Sequence, residues 1–245
     1  MNRERWVVTP EKNNAKVKLI CFPYAGGGVP VYFQWKSMLT QNVELNIVQL
    51  PGRGTHFAQE PIDDMDSLVE ALLPQVSDLL QGDYIIFGHS LGSRVGFELV
   101  RQAVARGFPP PIHFFASGSA SPKRECFGKV IHNLSDPDFI NELKRMNGTP
   151  AQVLENNELI QLLLPTLRAD MKIAEEYICH EEFTIPTDVT VLSGYDDSIN
   201  SEDLNSWGAF FRASEVVMHD GDHFFIDSHA KEVVETLNNR IAEYI

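Results

Sequence analysis

Tyr84-Ile85-Ile86-Phe87-Gly88-His89-Ser90-Leu91-Gly92-Ser93-Arg94-Val95-Gly96-Phe97-Glu98-Leu99-Val100 joins two patterns of different period. A short apolar run, rich in β-branched and aromatic residues, enters Gly88 as a strand. A helical pattern leaves Leu91, with Val95, Phe97 and Leu99 available for a buried side. Between them stands Gly88-x-Ser90-x-Gly92, the pattern of a nucleophile elbow, in which a serine is held on a sharp strand-to-helix turn. Side chains two residues before or after such a serine would collide with the neighbouring strand and helix, which is why glycine suits both places. An ordinary βα turn with a serine N-cap has the same local signature. What separates the two is whether an acid and a histidine follow in the right order.

They do. After the apolar stretch Val189–Leu192 comes Gly194-Tyr195-Asp196-Asp197-Ser198, and after Val216–Met218 comes His219-Asp220-Gly221-Asp222-His223-Phe224-Phe225. The order serine, acid, histidine, each on a loop behind a strand, is that of the α/β-hydrolases. A serine hydroxyl becomes a useful nucleophile when a neutral imidazole takes its proton. That imidazole needs a carboxylate to fix its tautomer and to steady the imidazolium. Asp197, three residues after Gly194, is the favoured acid, with Asp196 as the alternative. Among His89, His219, His223 and His229, the base is expected at His223, because it follows a glycine-containing turn. His219 would still be in the strand, His229 already in the last helix, and His89 in the elbow itself. The oxyanion of an acyl-transfer intermediate needs two amide donors. Leu91, following the nucleophile, and Ala25, in the loop after the first long strand, are the candidates. The cluster His219, Asp220, Asp222, His223, Asp227 and His229 has no recognisable metal-ligand spacing, so no metal is expected.

The rest of the chain fits one α/β-hydrolase domain over residues 1–245: a mostly parallel sheet with helices on both faces and a helical lid insertion at about 120–182. A polar leader (1–16) precedes a strand at Val17–Phe22, a helical pattern at Val31–Leu39, a strand at Val43–Leu50 and a helix at Asp63–Leu80. A strand at Ile112–Ala116 follows the elbow helix. The alternation then lapses, with helices expected at Asp136–Met146 and Asn156–Cys179. Strands at Val189–Leu192 and Ser214–Met218 resume the sheet, and a helix at Asp227–Tyr244 closes it.

Composition narrows the partners. With 20 Lys and Arg against 34 Asp and Glu, the formal charge is −14, which argues against nucleic acid and anionic membrane. No apolar run is long enough for a membrane span. The charged start Met1-Asn2-Arg3-Glu4-Arg5-Trp6 does not read as a secretory signal. Cys21, Cys126 and Cys179 are few and scattered, as suits a reducing, cytoplasmic location.

Six motifs together resemble the type II thioesterases, the free-standing editing enzymes of nonribosomal peptide and polyketide synthetases. They are Cys21–Gly28, Gln49–Gly54, Phe87–Gly92, Gly148–Pro150, Leu164–Asp170 and Gly221–Phe225, in family order over almost the whole chain. The resemblance implies hydrolysis of acyl or aminoacyl thioesters on the phosphopantetheine arm of acyl or peptidyl carrier proteins. It also implies the set Ser90, Asp197 and His223, with Ala25 and Leu91 as oxyanion donors, no cofactor of the enzyme's own, and a monomer. A carboxylesterase or an acyltransferase of the same fold is the alternative. Leu91 stands where members commonly carry Met, and Gly54 where they carry an acid. Because carrier proteins are acidic, a local basic face is expected near the entrance, drawn from Arg53, Lys123, Arg124, Lys129 and Arg168.

Overall fold

A computed structural model describes residues 5–13, 15–123, 129–146 and 151–245. Seven strands form one sheet: β1 (Val7–Val8), β2 (Val17–Phe22), β3 (Val43–Val48), β4 (Tyr84–His89), β5 (His113–Ser117), β6 (Ile185–Gly194) and β7 (Phe211–His219). Their order is β1-β3-β2-β4-β5-β6-β7, with β1 antiparallel to β3 and every other neighbouring pair parallel. The helices are α1 (Val29–Phe33), α2 (Met65–Val76), α3 (Leu91–Ala105), α4 (Asp136–Met146), α5 (Ala151–Leu154), α6 (Asn157–Glu176), α7 (Ser201–Asn205), α8 (Phe225–Ser228) and α9 (Ala230–Ile241). This is the α/β-hydrolase architecture that the alternation of strand and helix patterns points to.

Two apolar layers cover the sheet, and the two-residue period of the strands assigns side chains to each. Ile20 and Phe22 of β2 pack on the side of α2 and α3, with Leu72, Val76, Val95 and Leu99. Leu19 and Cys21 pack on the opposite side with Trp35 and the α9 residues Val233, Val234 and Leu237. Strands buried on both faces read as continuous apolar runs, and Tyr84–Phe87 is such a run. A third apolar cluster, which includes Phe139, Leu143, Ile160, Leu164, Leu167 and Met171, belongs to α4, α6 and the segment before them. Its members pack chiefly with one another. α6 also sends Ile173 and Ala174 into the layer on the side of α2 and α3.

Several boundaries differ from the sequence reading. The leader contains an edge strand: Val7 and Val8 pair with Val48 and Ile47, and Trp6 is buried beneath them. The helical pattern at 31–39 starts earlier, at Val29, and tightens into a 3₁₀ turn over Gln34–Ser37. β6 and β7 are longer than their apolar cores suggested, because inter-strand pairing carries them through Ile185–Phe211 and Asp188–Ala213 at one end and Gly194–His219 at the other. The closing helix is two helices, α8 and α9, joined at His229. α2 begins at Met65 because Asp64 accepts a hydrogen bond from the Ser67 amide, 2.9 Å, as its N-cap. Asn156 caps α6 in the same way rather than being part of it.

Candidate active site

Ser90 lies between β4 and α3 with φ 54° and ψ −118°, and among the described residues it is the non-glycine residue with positive φ. Such backbone costs about 1–3 kcal/mol and persists when surrounding contacts enforce it. The enforcement is visible. The Ser90 amide donates to the Ser117 carbonyl at the end of β5, 2.8 Å. Ser93 Oγ donates to the Gly88 carbonyl, 2.7 Å, and accepts from the Ser117 amide, 3.1 Å, tying the first turn of α3 to both strand ends. A Cβ on Gly88 would overlap the backbone of Gly92, and a Cβ on Gly92 would overlap the carbonyl of Phe22. Both glycines are thus required by close backbone approach.

The candidate acid and base come from the loops behind β6 and β7, and these loops are stitched together by their backbones. The Tyr195 amide donates to the His219 carbonyl, 2.9 Å, and that of Asp196 to the Gly221 carbonyl, 3.0 Å. This pairing turns the Asp197 side chain inward. Nδ1 of His223 lies 2.9 Å from Asp197 Oδ2, whose carboxylate is 2 % exposed, whereas Asp196 is exposed. A neutral His223 with its proton on Nδ1 would donate to that carboxylate and leave Nε2 as acceptor.

Ser90 and His223 share a small cavity of about 40 Å³, whose walls also include Tyr24, Ala25, Met171 and Phe224. The structure thus brings together Ser90, His223, Asp197 and Ala25. Leu91 follows as the first residue of α3, where its amide has no acceptor within the helix. Two larger spaces adjoin the cavity. One, of about 370 Å³, shares Tyr24, Ala25 and Leu167 with it and continues along Val31, Phe57 and Leu163. The other, of about 610 Å³, shares Met146, Met171, His223 and Phe224 and is lined by charges of both signs.

The remaining histidines sit apart from this exchange. His89 is buried, with Nδ1 2.8 Å from Ser117 Oγ and its ring 5.1 Å from that of His223. Burial pushes its pKa well down, so it is a neutral wall behind the base. His219 is not a surface residue: it ends β7, is buried, and stacks on Phe225. Burial lowers its pKa as well. His229 contacts Ser228 Oγ. No group of three His, Cys, Asp or Glu side chains able to hold a metal occurs among the described residues.

Among the described residues the basic face expected from the sequence is not assembled. Arg53 is buried and forms a two-pronged ion pair with Asp170. Lys129 is paired with Glu142, and Arg168 with Asp136. Lys123 is exposed, and Arg124 lies outside the described residues, as do Cys126 and the Gly148–Pro150 motif. With acids outnumbering bases along the chain, basic side chains find carboxylates nearby, which a one-dimensional count of charge does not reveal.

Sequence reasoning also passed over Tyr24 and Asp170. Tyr24 lines the cavity shared by Ser90 and His223, meets His89 and Phe224 edge-on, and donates from its hydroxyl to Asp227, 3.0 Å. Asp170 closes the motif Leu164–Asp170, and nothing local marked it as the partner of an arginine 117 residues away.

Comparison with known proteins agrees with the fold. Residues 17–241 match the family model described as the thioesterase domain. The gramicidin S biosynthesis protein GrsT of Aneurinibacillus migulanus is 33 % identical over 234 residues, covering 94 % of this chain and 91 % of its own. The structure of ClbQ from the colibactin nonribosomal peptide/polyketide pathway superimposes with a TM-score of 0.88 at 32 % identity, over 94 % of this chain and 98 % of that one. The type II thioesterase YbtT of the yersiniabactin pathway superimposes with a TM-score of 0.84 at 26 % identity, over 95 % and 96 %. Among the described residues no helix is long and apolar enough to cross a membrane.

Proposed function

This chain belongs to the thioesterase family, whose members are thioester hydrolases, and we propose that it removes acyl or aminoacyl groups from the phosphopantetheine arm of carrier proteins through Ser90, His223 and Asp197. The observation that carries the reading is the 2.9 Å contact between His223 Nδ1 and a buried Asp197, with His223 and Ser90 facing one cavity.

In this reading Ser90 Oγ attacks the thioester carbonyl carbon while His223 Nε2 takes the hydroxyl proton. Negative charge on the former carbonyl oxygen is met by the amides of Leu91 and Ala25. The first also carries the positive end of the α3 dipole. Collapse breaks the C–S bond, and the imidazolium returns the proton to the departing thiol. Water, deprotonated by His223, then attacks the acyl-serine ester, and a second collapse releases the acid and restores Ser90. Asp197 holds the imidazole in the tautomer that keeps Nε2 free. All groups in this sequence belong to the protein or the substrate, and the phosphopantetheine belongs to the partner. The helices α4–α6 and their own apolar cluster act as a roof that limits water around the oxyanion.

Mass spectrometry of carrier proteins loaded with different acyl and aminoacyl groups, before and after addition of the enzyme, tests the proposal. Wild type is expected to strip the acyl mass and Ser90→Ala to leave it. Turnover of small carboxylic esters with every loaded carrier left intact would shift the reading to a carboxylesterase. Transfer of the acyl group to an added alcohol or amine in place of hydrolysis would shift it to an acyltransferase.

A further inference from the structure

The loop after β2 carries Ala25, and charged groups grip the two residues that follow it, one at the Gly26 amide and one at the Gly27 carbonyl. The Gly27 amide donates to the Tyr24 carbonyl, 2.8 Å, closing a four-residue turn with Gly26 at φ 75° in its third position. Beyond that, the Gly26 amide donates to Asp170 Oδ2, 2.7 Å, and the Gly27 carbonyl accepts from Arg53 Nη1, 3.1 Å. Arg53 and Asp170 hold each other through two parallel hydrogen bonds, both 2.7 Å, with side chains only 8 % and 2 % exposed. Arg53 Nε also reaches the Pro51 carbonyl at 3.3 Å. Three segments distant in sequence therefore meet at one turn: the loop after β2, the Pro51–Gly54 turn after β3, and α6.

A buried ion pair contributes little to stability that a well-packed apolar pair would not. What an apolar pair cannot do is satisfy an amide and a carbonyl at fixed points in space. Here the spare hydrogen-bonding capacity of both ions is spent on the residues that follow Ala25. The Gly26 amide is committed to α6 and the Gly27 amide to the Tyr24 carbonyl, so of these three consecutive amides that of Ala25 is the one left to meet an oxyanion.

We propose that Arg53 and Asp170 are positioning residues for the oxyanion hole: they set the Ala25 amide and couple its placement to α6. The inference rests on the reading of Ser90 as nucleophile and Ala25 as oxyanion donor. It concerns how that site is held rather than which bond it breaks.

The decisive variant is the double replacement Arg53→Met/Asp170→Leu, which removes both charges together and leaves the two backbone groups unmet. A trifluoromethyl ketone analogue of an acyl thioester, which adds Ser90 to form a tetrahedral oxyanion, supplies a readout beyond turnover. The double variant is expected to lose about 10 °C of Tm, because two buried backbone groups go unmet, and is assayed well below its melting temperature. Its kcat and its affinity for the ketone should each fall about 100-fold, with KM within about threefold. Asp170→Asn keeps an oxygen for the Gly26 amide and should lose less than about tenfold. If the double variant does not fold, Arg53→Lys is measured instead. It keeps the charge but cannot reach both Asp170 and Gly27, and the same split between kcat and KM decides. Wild-type kcat and ketone affinity in the folded double variant, or in Arg53→Lys if that is the variant used, would overturn the proposal. So would an Asp170→Asn as impaired as that variant. Wild type serves as the control on the underlying reading. If it neither hydrolyses thioesters nor is labelled at Ser90 by a fluorophosphonate, the failure is of the catalytic assignment and not of the coupling.

Discussion

His223 and Asp197 are joined side chain to side chain at 2.9 Å, while Asp196, one residue earlier, is joined to the histidine loop by its backbone alone. Two adjacent aspartates thus have different fates, one turned in to the imidazole and the other out to solvent. Asp197→Asn is expected to lower kcat by about 10⁴-fold by offering the imidazole the wrong partner. Asp196→Asn, which keeps its backbone bond, should change kcat less than about threefold. Steady-state kinetics on one acyl thioester compares them directly.

Ser90 has backbone angles that glycine adopts readily and other residues resist. Ser90→Gly is therefore expected to abolish turnover while raising stability by about 1 kcal/mol, the strain relieved outweighing the added freedom of the unfolded chain. Urea denaturation of the two proteins checks it. An unchanged or lower midpoint for the glycine variant would count against stored strain at the elbow. By contrast Gly92→Ala, whose methyl group meets the Phe22 carbonyl, should cost about 3 kcal/mol and reduce the yield of folded protein.

Leu167 stands between the cavity at Ser90 and the 370 Å³ space beyond it. Leu167→Ala would join the two, so the ratio of kcat/KM for a dodecanoyl over an acetyl thioester should rise about tenfold relative to wild type. Because Leu167 also belongs to the third apolar cluster, the variant should lose about 2–4 kcal/mol of stability. A chain-length series measured well below the melting temperature separates the two effects.

Burial holds His113 at a pKa of about 4, with Nε2 near Thr190 Oγ1 and Nδ1 near the Tyr244 hydroxyl. In the unfolded chain the same group titrates near 6.5. Between these values the unfolded state binds more protons, so stability falls as pH falls through that window and is fully present above it. The loss attributable to His113 is about 2–3 kcal/mol. Denaturation midpoints at pH 7 and pH 4.5 should therefore lie further apart in wild type than in His113→Gln.

The elbow was legible because its requirements are local: a strand, two glycines, a serine and a helix within seventeen residues. The order of the acid and base loops was legible too, since each follows a run of β-branched residues. The spacing from Gly194 also favoured Asp197 over Asp196, and Asp197 is the one that lies against His223; the backbone bonds that set the two apart join loops more than twenty residues apart and left no local mark. Arg53 was misplaced for a related reason. A charge in a glycine-rich turn reads as solvated until its partner is known, and Asp170 is supplied by a helix on the far side of the elbow in sequence. The strand at Val7–Val8 escaped notice because two residues carry no period, and the partner strand gives them their structure.

The third apolar cluster packs chiefly on itself, and α6 fastens it to the layer beneath through Ile173, Ala174, the Thr166 bond to the Gly52 carbonyl and the Asp170–Arg53 pair. The part of such a unit furthest from these ties can come loose at a lower free energy than the rest of the molecule. Gentle warming would then release the amide protons of α4 before those of α6, with the strands beneath exchanging last.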